Sequence, residues 1–370
     1  MSRLFRSMAF TFVATLFAFT AAHFALAGPP GRGGTSVPLG RIFYSRSALV
    51  TTTYGPSYVF DGNWSMRADG SNKLAEPNMG RNGEPSIKLH GTQRWFLNNS
   101  EIAGGATFPN GNPQRELFAT SDTGMSIRLT NDLSIQVDYG RGMRWACNDS
   151  FISFAAVTWT KVTTGGNFTD VYGQQWQVGA ALFRANVDWT SGVPVAGNPV
   201  PVLEAGLYFD TTGAFATFSP LPDISGLDWS PLGTQVVYDQ VIQVSPGGPE
   251  THNLKVATVG GGIQWLGEGR APVWSPNGLR IAFSSSGIWT VNPDGMGLFQ
   301  VTSATYDRNP VWSLDSAYLA FTRQKQSNQR GTTTWFYNVM RIPATGGTSV
   351  VDLTKDLDDA TYAAFAEGWR

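Results

Sequence analysis

Cysteine is almost missing from this chain, and histidine is scarce. Cys147 stands alone, which excludes an internal disulfide, and it reads as a small buried hydrophobe rather than a reactive thiol. Of three histidines, His23 lies in an N-terminal leader, so only His90 and His252 remain for chemistry. Two histidines and one cysteine do not supply an ordinary structural zinc site. There is no Gly-x-Ser-x-Gly elbow and no His-Glu-x-x-His helix, so no catalytic residue is assigned. The acidic stretch Lys355-Asp-Leu-Asp-Asp359 lacks the spacing and glycine of a calcium loop and reads as a solvated connection. No metal or cofactor is expected. Charge is also sparse, at 14% Asp, Glu, Lys and Arg, with no basic cluster. That absence excludes a nucleic-acid footprint and a polybasic membrane contact.

The one long apolar run is at the start. Arg3 and Arg6 precede apolar residues from Met8 to about Ala22, and Ala25-Leu-Ala27 follows with small residues at the right spacing. This is the pattern of a signal peptide over 1–27, with a hydrophobic stretch too short for a stable span. Cleavage is expected after Ala27, leaving no integral membrane span and a periplasmic or secreted chain. Loss of the two arginines takes the formal net charge from −1 to −3. Residues 28–40 are rich in Gly and Pro and read as a flexible leader.

What is plentiful is glycine and tryptophan, 42 and 13 residues respectively, and they are periodic. The stretch from Ala271 to Thr302 reads as four strands. Trp274 lies on the first, Arg280 to Phe283 form the second, Ile288 to Val291 the third and Leu298 to Thr302 the fourth. Ser-Pro-Asn-Gly and Asn-Pro-Asp-Gly make the tight turns, where Pro presets φ, Asn or Asp bonds its own backbone and Gly accepts a left-handed conformation. The interval from Trp274 to Phe283 recurs as Trp312 to Phe321, Trp229 to Tyr238 and Trp145 to Phe154, and with an aliphatic start as Ile87 to Phe96. Gly62 to Gly70 aligns without gaps on Gly287 to Gly295. Periods of roughly 40–50 residues with four strands each signal a β-propeller.

Trp-Ser-Pro-Asn-Gly followed by Ile-Ala-Phe, then Asn-Pro-Asp-Gly and a closing Val-Thr, resembles the repeat of TolB-type propellers. The likeness is strongest over about 222–354 and weaker before it. Proteins of that type carry a further α/β domain ahead of the propeller. Here Arg41-Ile-Phe-Tyr-Ser45 arrives about fourteen residues after the expected cleavage site, so no such domain is expected, and a role in the Tol–Pal envelope system does not carry over. The expected fold is all-β, with six blades of four antiparallel strands. Arg41-Ile-Phe-Tyr aligns with Arg280-Ile-Ala-Phe, a second strand, so the first blade needs an inner strand from the C-terminal 359–369. The expected blades are about 41–82 with 359–369, 83–138, 139–222, 223–267, 268–304 and 305–357. A seventh blade within the 84-residue interval from Trp145 to Trp229 is the alternative, and a long insertion is preferred because 155–228 holds no second Trp-turn-aromatic unit.

The recurring tryptophans and turn aspartates belong to the repeat, so they are structural. Function is expected in what does not repeat. Connections from second to third strand run about 46–61, 98–115, 159–178, 240–252 and 323–334, with only the Trp274 repeat keeping a short one. An antiparallel meander sends all of them to one face, which is expected to bind an unknown protein or small ligand. Its candidate contacts are Tyr54, Tyr58, Phe108, Arg115, Tyr172, Trp176, Lys325, Arg330 and Trp335, with His252 in a loop before Asn253-Leu-Lys-Val-Ala257. His90 falls on the turn position of Asn277 and reads as structural. These features point to a non-catalytic binding scaffold in the cell envelope. The alternative is a propeller enzyme acting on a carbohydrate or lactone with a bound metal.

Overall fold

Tight polar turns at fixed spacing leave the chain one economical solution, repeated small meanders. In the computed structural model the described residues are 40–370, apart from 53–54, 78–86, 91, 133, 138–142, 147–149, 206–223, 244–249, 330–331, 358–361 and 370. The expected signal peptide and Cys147 lie outside them, as does most of the expected leader. Two units are distinguished, 1–36 and 37–370, and all described residues belong to the second.

That unit is all-β, in a propeller arrangement of small antiparallel sheets. The first sheet holds β1 (Arg41–Thr52), β2 (Gly55–Arg67) and β3 (Leu74–Ala75). The second holds β4 (Ile87–His90), β5 (Gln93–Glu101), β6 (Arg115–Ser121) and β7 (Ser126–Arg128). The third holds β8 (Ile135–Val137), β9 (Arg144–Trp145), β10 (Phe151–Val162), β11 (Phe168–Thr169), β12 (Gln175–Asp188), β13 (Val195–Ala196) and β14 (Val200–Ala205). The fourth is β15 (Ile224–Trp229), β16 (Gln235–Gln243), β17 (Glu250–Thr258) and β18 (Ile263–Glu268). The fifth is β19 (Arg270–Trp274), β20 (Ile281–Ser284), β21 (Ile288–Val291) and β22 (Phe299–Gln300). The sixth is β23 (Asp307–Trp312), β24 (Tyr318–Gln329), β25 (Thr332–Pro343) and β26 (Val351–Asp352). The last strand, β27 (Tyr362–Trp369), returns to the first sheet, giving the order β27-β1-β2-β3.

Five sheets have four strands and one has seven, so four-stranded blades are five rather than the expected six. In the seven-stranded sheet the inner edge is split between β8 and β9, both on β10, while β11, β13 and β14 all pair with β12. The described part of the Trp145–Trp229 interval therefore thickens one sheet. No further sheet arises there among the described residues.

Register shows the repeat directly. Trp274 pairs with Ile281, Trp145 with Ile152, Trp229 with Val236 and Trp312 with Leu319. Across the chain ends Trp369 pairs with Ile42, which puts Ile42 on the Ile281 position. The third-strand alignment agrees, with Met66 opposite Ile42 and Val291 opposite Ile281. The aliphatic-start copy does not agree. Ile87 pairs with Phe96 itself, because His90 and Gln93 close a shorter hairpin than the six-residue Trp-Ser turn. That copy of the nine-residue interval is a coincidence of spacing.

The turn that follows each tryptophan is built by its serine. Ser275 Oγ accepts from the Arg280 amide (2.9 Å) and donates to Asn277 Oδ1 (2.8 Å). Ser313 repeats this with Tyr318 and Asp315, and Ser230 accepts from the Gln235 amide at 3.0 Å. Gly278 ends its turn at φ +74°, where a side chain would be strained.

Tryptophans fill the spaces between sheets. Trp312 packs against Ala282 and Ile288 of the fifth sheet as well as Leu319 and Phe321 of its own. Trp274 does the same against Val237, Leu254 and Val256, and Trp229 against Phe151, Ala155 and Leu182. All three are at most 5% exposed. Two of their indole N–H groups also reach neighbouring sheets, Trp229 to Ser153 Oγ (2.8 Å) and Trp312 to the Val273 carbonyl (3.2 Å). The first and sixth sheets share a core of Ile42, Tyr44, Met66, Val311 and Val339.

Candidate binding face and its cavity

The connections expected to be loops are largely paired backbone. β1 and β2 stay paired out to Thr52 and Gly55, with one register shift between Arg46 and Ser47, while β10 and β12 stay in register to Val162 and Gln175 and β24 and β25 to Gln329 and Thr332. Alternating Thr, Val, Gln and aromatic residues in these segments favour extended chain, and pairing satisfies backbone groups that a loop would leave to water. The face is thus a set of projecting hairpins. Among the described residues, 102–114 stays irregular around the isolated bridge from Thr107 to Pro113, and 163–174 holds only the short strand β11.

The candidate residues divide sharply on this face. Tyr54 and Arg330 lie outside the described residues. Phe108 is 7% exposed and packs on Val157, Trp159 and Val178, so it is core and not a contact. Trp176 lies partly buried on Trp159, and its indole N–H donates to Asp170 Oδ2 at 3.0 Å, which holds that carboxyl below the usual range. Both correct the expectation of surface aromatics, because large rings gain more by covering the long hairpin than by facing water. Arg115 pairs with Glu101 at 3.7 Å, and Lys325 with Asp352 at 2.6 Å. Tyr172 is fully presented, and Trp335 is about half exposed. Tyr58 joins Trp335 through a hydrogen bond to its carbonyl. His90, off this face, stacks on Trp189 with ring centres 4.1 Å apart.

His252 is not in a loop. It is the third residue of β17, nearly buried, and its Nδ1 donates to Asp239 Oδ2 at 3.0 Å while Nε2 lies 3.7 Å from Glu250 Oε2. An imidazole held this way presents a fixed edge to a cavity of about 380 Å³. Three successive sheets line that cavity. The fourth contributes Glu250, His252 and Glu268, and the fifth Arg270 with Ser284 to Ser286. The sixth adds Tyr306, Asp307, Arg308 and Gln324. All of these sit at second-to-third connections, at links between sheets or on the projecting hairpin. The opening lies where the fifth sheet is shortest, with only three residues between β20 and β21.

Two fixed ion contacts shape the wall. Asp307 is fully buried and receives Arg323 in a bidentate pair at 2.7 and 2.6 Å, which holds the guanidinium above its ordinary pKa. Arg308 lies over the Tyr337 ring at 4.5 Å. The backbone is pinned as well, with Asn309 N donating to Ser284 Oγ (3.1 Å) and Gly269 N to the His252 carbonyl (2.9 Å). Ala271 and Asn309 share the repeat position three before the tryptophan, both at positive φ, where the first strand bulges. Such bulges re-aim side chains at the sheet rim.

Apart from His252, none of the cavity's side chains was anticipated. One signal existed. Asp307 stands where the preceding repeat has Gly269, so a buried charge replaces a residue whose Cβ would strike Phe283. The opposite face has a second, smaller groove of about 340 Å³ between Arg280, Phe299 and Trp312. Among the described residues there is no cluster of three potential metal ligands, and no helix is long and apolar enough to cross a membrane.

No family model matches the chain, and no curated protein does. Solved structures do share its outline. Oligogalacturonate lyase from Vibrio parahaemolyticus is 9% identical with a TM-score of 0.38, covering 85% of this chain and 93% of that one. The acylaminoacyl peptidase of Pyrococcus horikoshii is 11% identical with a TM-score of 0.41, covering 85% of this chain and 44% of its own. A structure of a eukaryotic initiation factor is 10% identical at 0.36, covering 93% and 94%. This chain spans less than half the length of the peptidase it resembles.

Proposed function

We propose that the protein is an exported, TolB-like six-bladed propeller that acts as a non-catalytic binding scaffold in the cell envelope. The seven-stranded sheet counts as the sixth blade, because its β8/β9, β10, β12 and β14 follow the inner-to-outer order of the others. The working surface is the face of projecting hairpins. The observation that carries this reading is the cavity of about 380 Å³ on that face, walled by three consecutive sheets. Rigid strands hold its side chains, as a pre-formed site requires.

Export is tested by sequencing the N-terminus of the secreted chain, which should begin at Gly28. Binding is tested by affinity capture from the exported fraction. A stoichiometric partner should be lost with Tyr172→Ala combined with Trp335→Ala and retained with Leu232→Ala combined with Leu279→Ala at the tight turns. The reverse pattern overturns the assignment of the face.

A further inference from the structure

The cavity beside His252 has a chemistry of its own. Its rim carries two carboxylates, Glu250 and Glu268, against two guanidiniums, Arg270 and Arg308. The wall carboxylate Asp307 is already engaged by Arg323. A free ion entering here meets as much repulsion as attraction. A neutral ligand that both donates and accepts hydrogen bonds meets partners of both kinds, and bonds to charged groups are the stronger sort. Hydroxyls of Ser284, Ser285 and Ser286 add groups that serve in either role. Tyr306 stands at the mouth 61% exposed, offering a ring face to apolar C–H surface. The volume falls within the ~300–1,000 Å³ of small-molecule sites.

We propose that this cavity binds a neutral, polyhydroxylated ligand, a short uncharged saccharide. Glu250 and Glu268 accept from its hydroxyls, Arg270 and Arg308 donate to them, and Tyr306 stacks on its C–H face. The proposal rests on the binding-scaffold reading and deepens it at the same face. Arg308 is already braced on Tyr337, and the Ser284–Asn309 contact ties the fifth sheet to the sixth. The ligand thus finds the rim largely preorganised.

Saturation-transfer NMR on the full secreted chain tests it, with cellobiose, maltose and lactose as neutral probes, trigalacturonate as an anionic one and diglycine as a zwitterion. At least one neutral disaccharide should receive saturation. Tyr306→Ala and Glu268→Gln, both at exposed positions that leave the fold intact, should each weaken its Kd about tenfold, the size of one lost directional contact. Trp265→Ala on the outer edge should leave the Kd unchanged. Absence of binding by every neutral probe overturns the proposal, as does binding that survives both substitutions. Trigalacturonate or diglycine binding alone, sensitive to the same substitutions, overturns the ligand class and leaves the face intact. Saccharide binding abolished instead by Phe299→Ala in the opposite groove overturns both readings.

Discussion

The Tyr58 hydroxyl donates to the backbone carbonyl of Trp335 across 2.9 Å, although 277 positions separate the two residues. One lies on the β1–β2 hairpin and the other on β25, so the two projecting hairpins are tied side by side. Tyr58→Phe removes the bond and leaves the ring. The expected loss is about 0.5–1.5 kcal/mol in urea unfolding, with faster amide exchange confined to the two hairpins. Unchanged exchange there would show that the contact does not hold the hairpins together.

Tryptophan between sheets should dominate stability. Trp312→Ala is expected to cost about 3–5 kcal/mol, read as a lowered urea midpoint with an unchanged slope. Trp265→Ala, on an outer strand and 62% exposed, should fall within about 0.5 kcal/mol of the parent. Equal losses at the two sites would contradict the inter-sheet role of Trp312.

Closure by β27 leaves no free inner edge on β1. Removing residues 362–370 strips the partners of Ile42 to Ala48 and exposes that edge. The truncated chain should melt at a lower temperature and form concentration-dependent aggregates by light scattering. A monomeric truncation with the parent melting temperature would refute closure by this strand.

Burial pushes the Tyr44 hydroxyl up to about 12 from an ordinary value of 10.0. The folded state therefore keeps a proton that the unfolded chain releases. Its contribution is complete below pH 10 and is lost as pH rises from there through about 12. Urea midpoints across that range should fall more steeply for the parent than for Tyr44→Phe. Parallel slopes would mean that Tyr44 ionises equally in both states.

Asp307→Asn leaves Arg323 at the cavity wall without its carboxylate. Breaking a buried pair from one side is expected to cost about 3–5 kcal/mol, discounted here because Arg323 is 24% exposed at its side chain. Chemical denaturation measures it. A loss below about 0.5 kcal/mol would place the pair among surface ion pairs of little worth.

The repeat was legible because it is local. Tryptophan, turn and aromatic lie within ten residues, and the serine and Asn or Asp that build each turn are neighbours in the chain. That was enough for the strands from β19 to β22, the burial of the tryptophans and the return of the last strand, since Trp369 and Ile42 carry the same pattern split between the two ends. Ile87 shows where spacing alone misleads, for a hairpin of different length moves the register without altering the count. Length outside the repeat was visible too, but its form was not. Whether residues such as Phe108 and Trp176 face outward depends on apolar surface supplied by Val157 and Trp159, which only the paired hairpin brings beneath them. The cavity is further still from sequence. Glu250, Ser284 and Tyr306 come from three sheets and share no local pattern, so only the packing of one sheet against the next brings them around a common space.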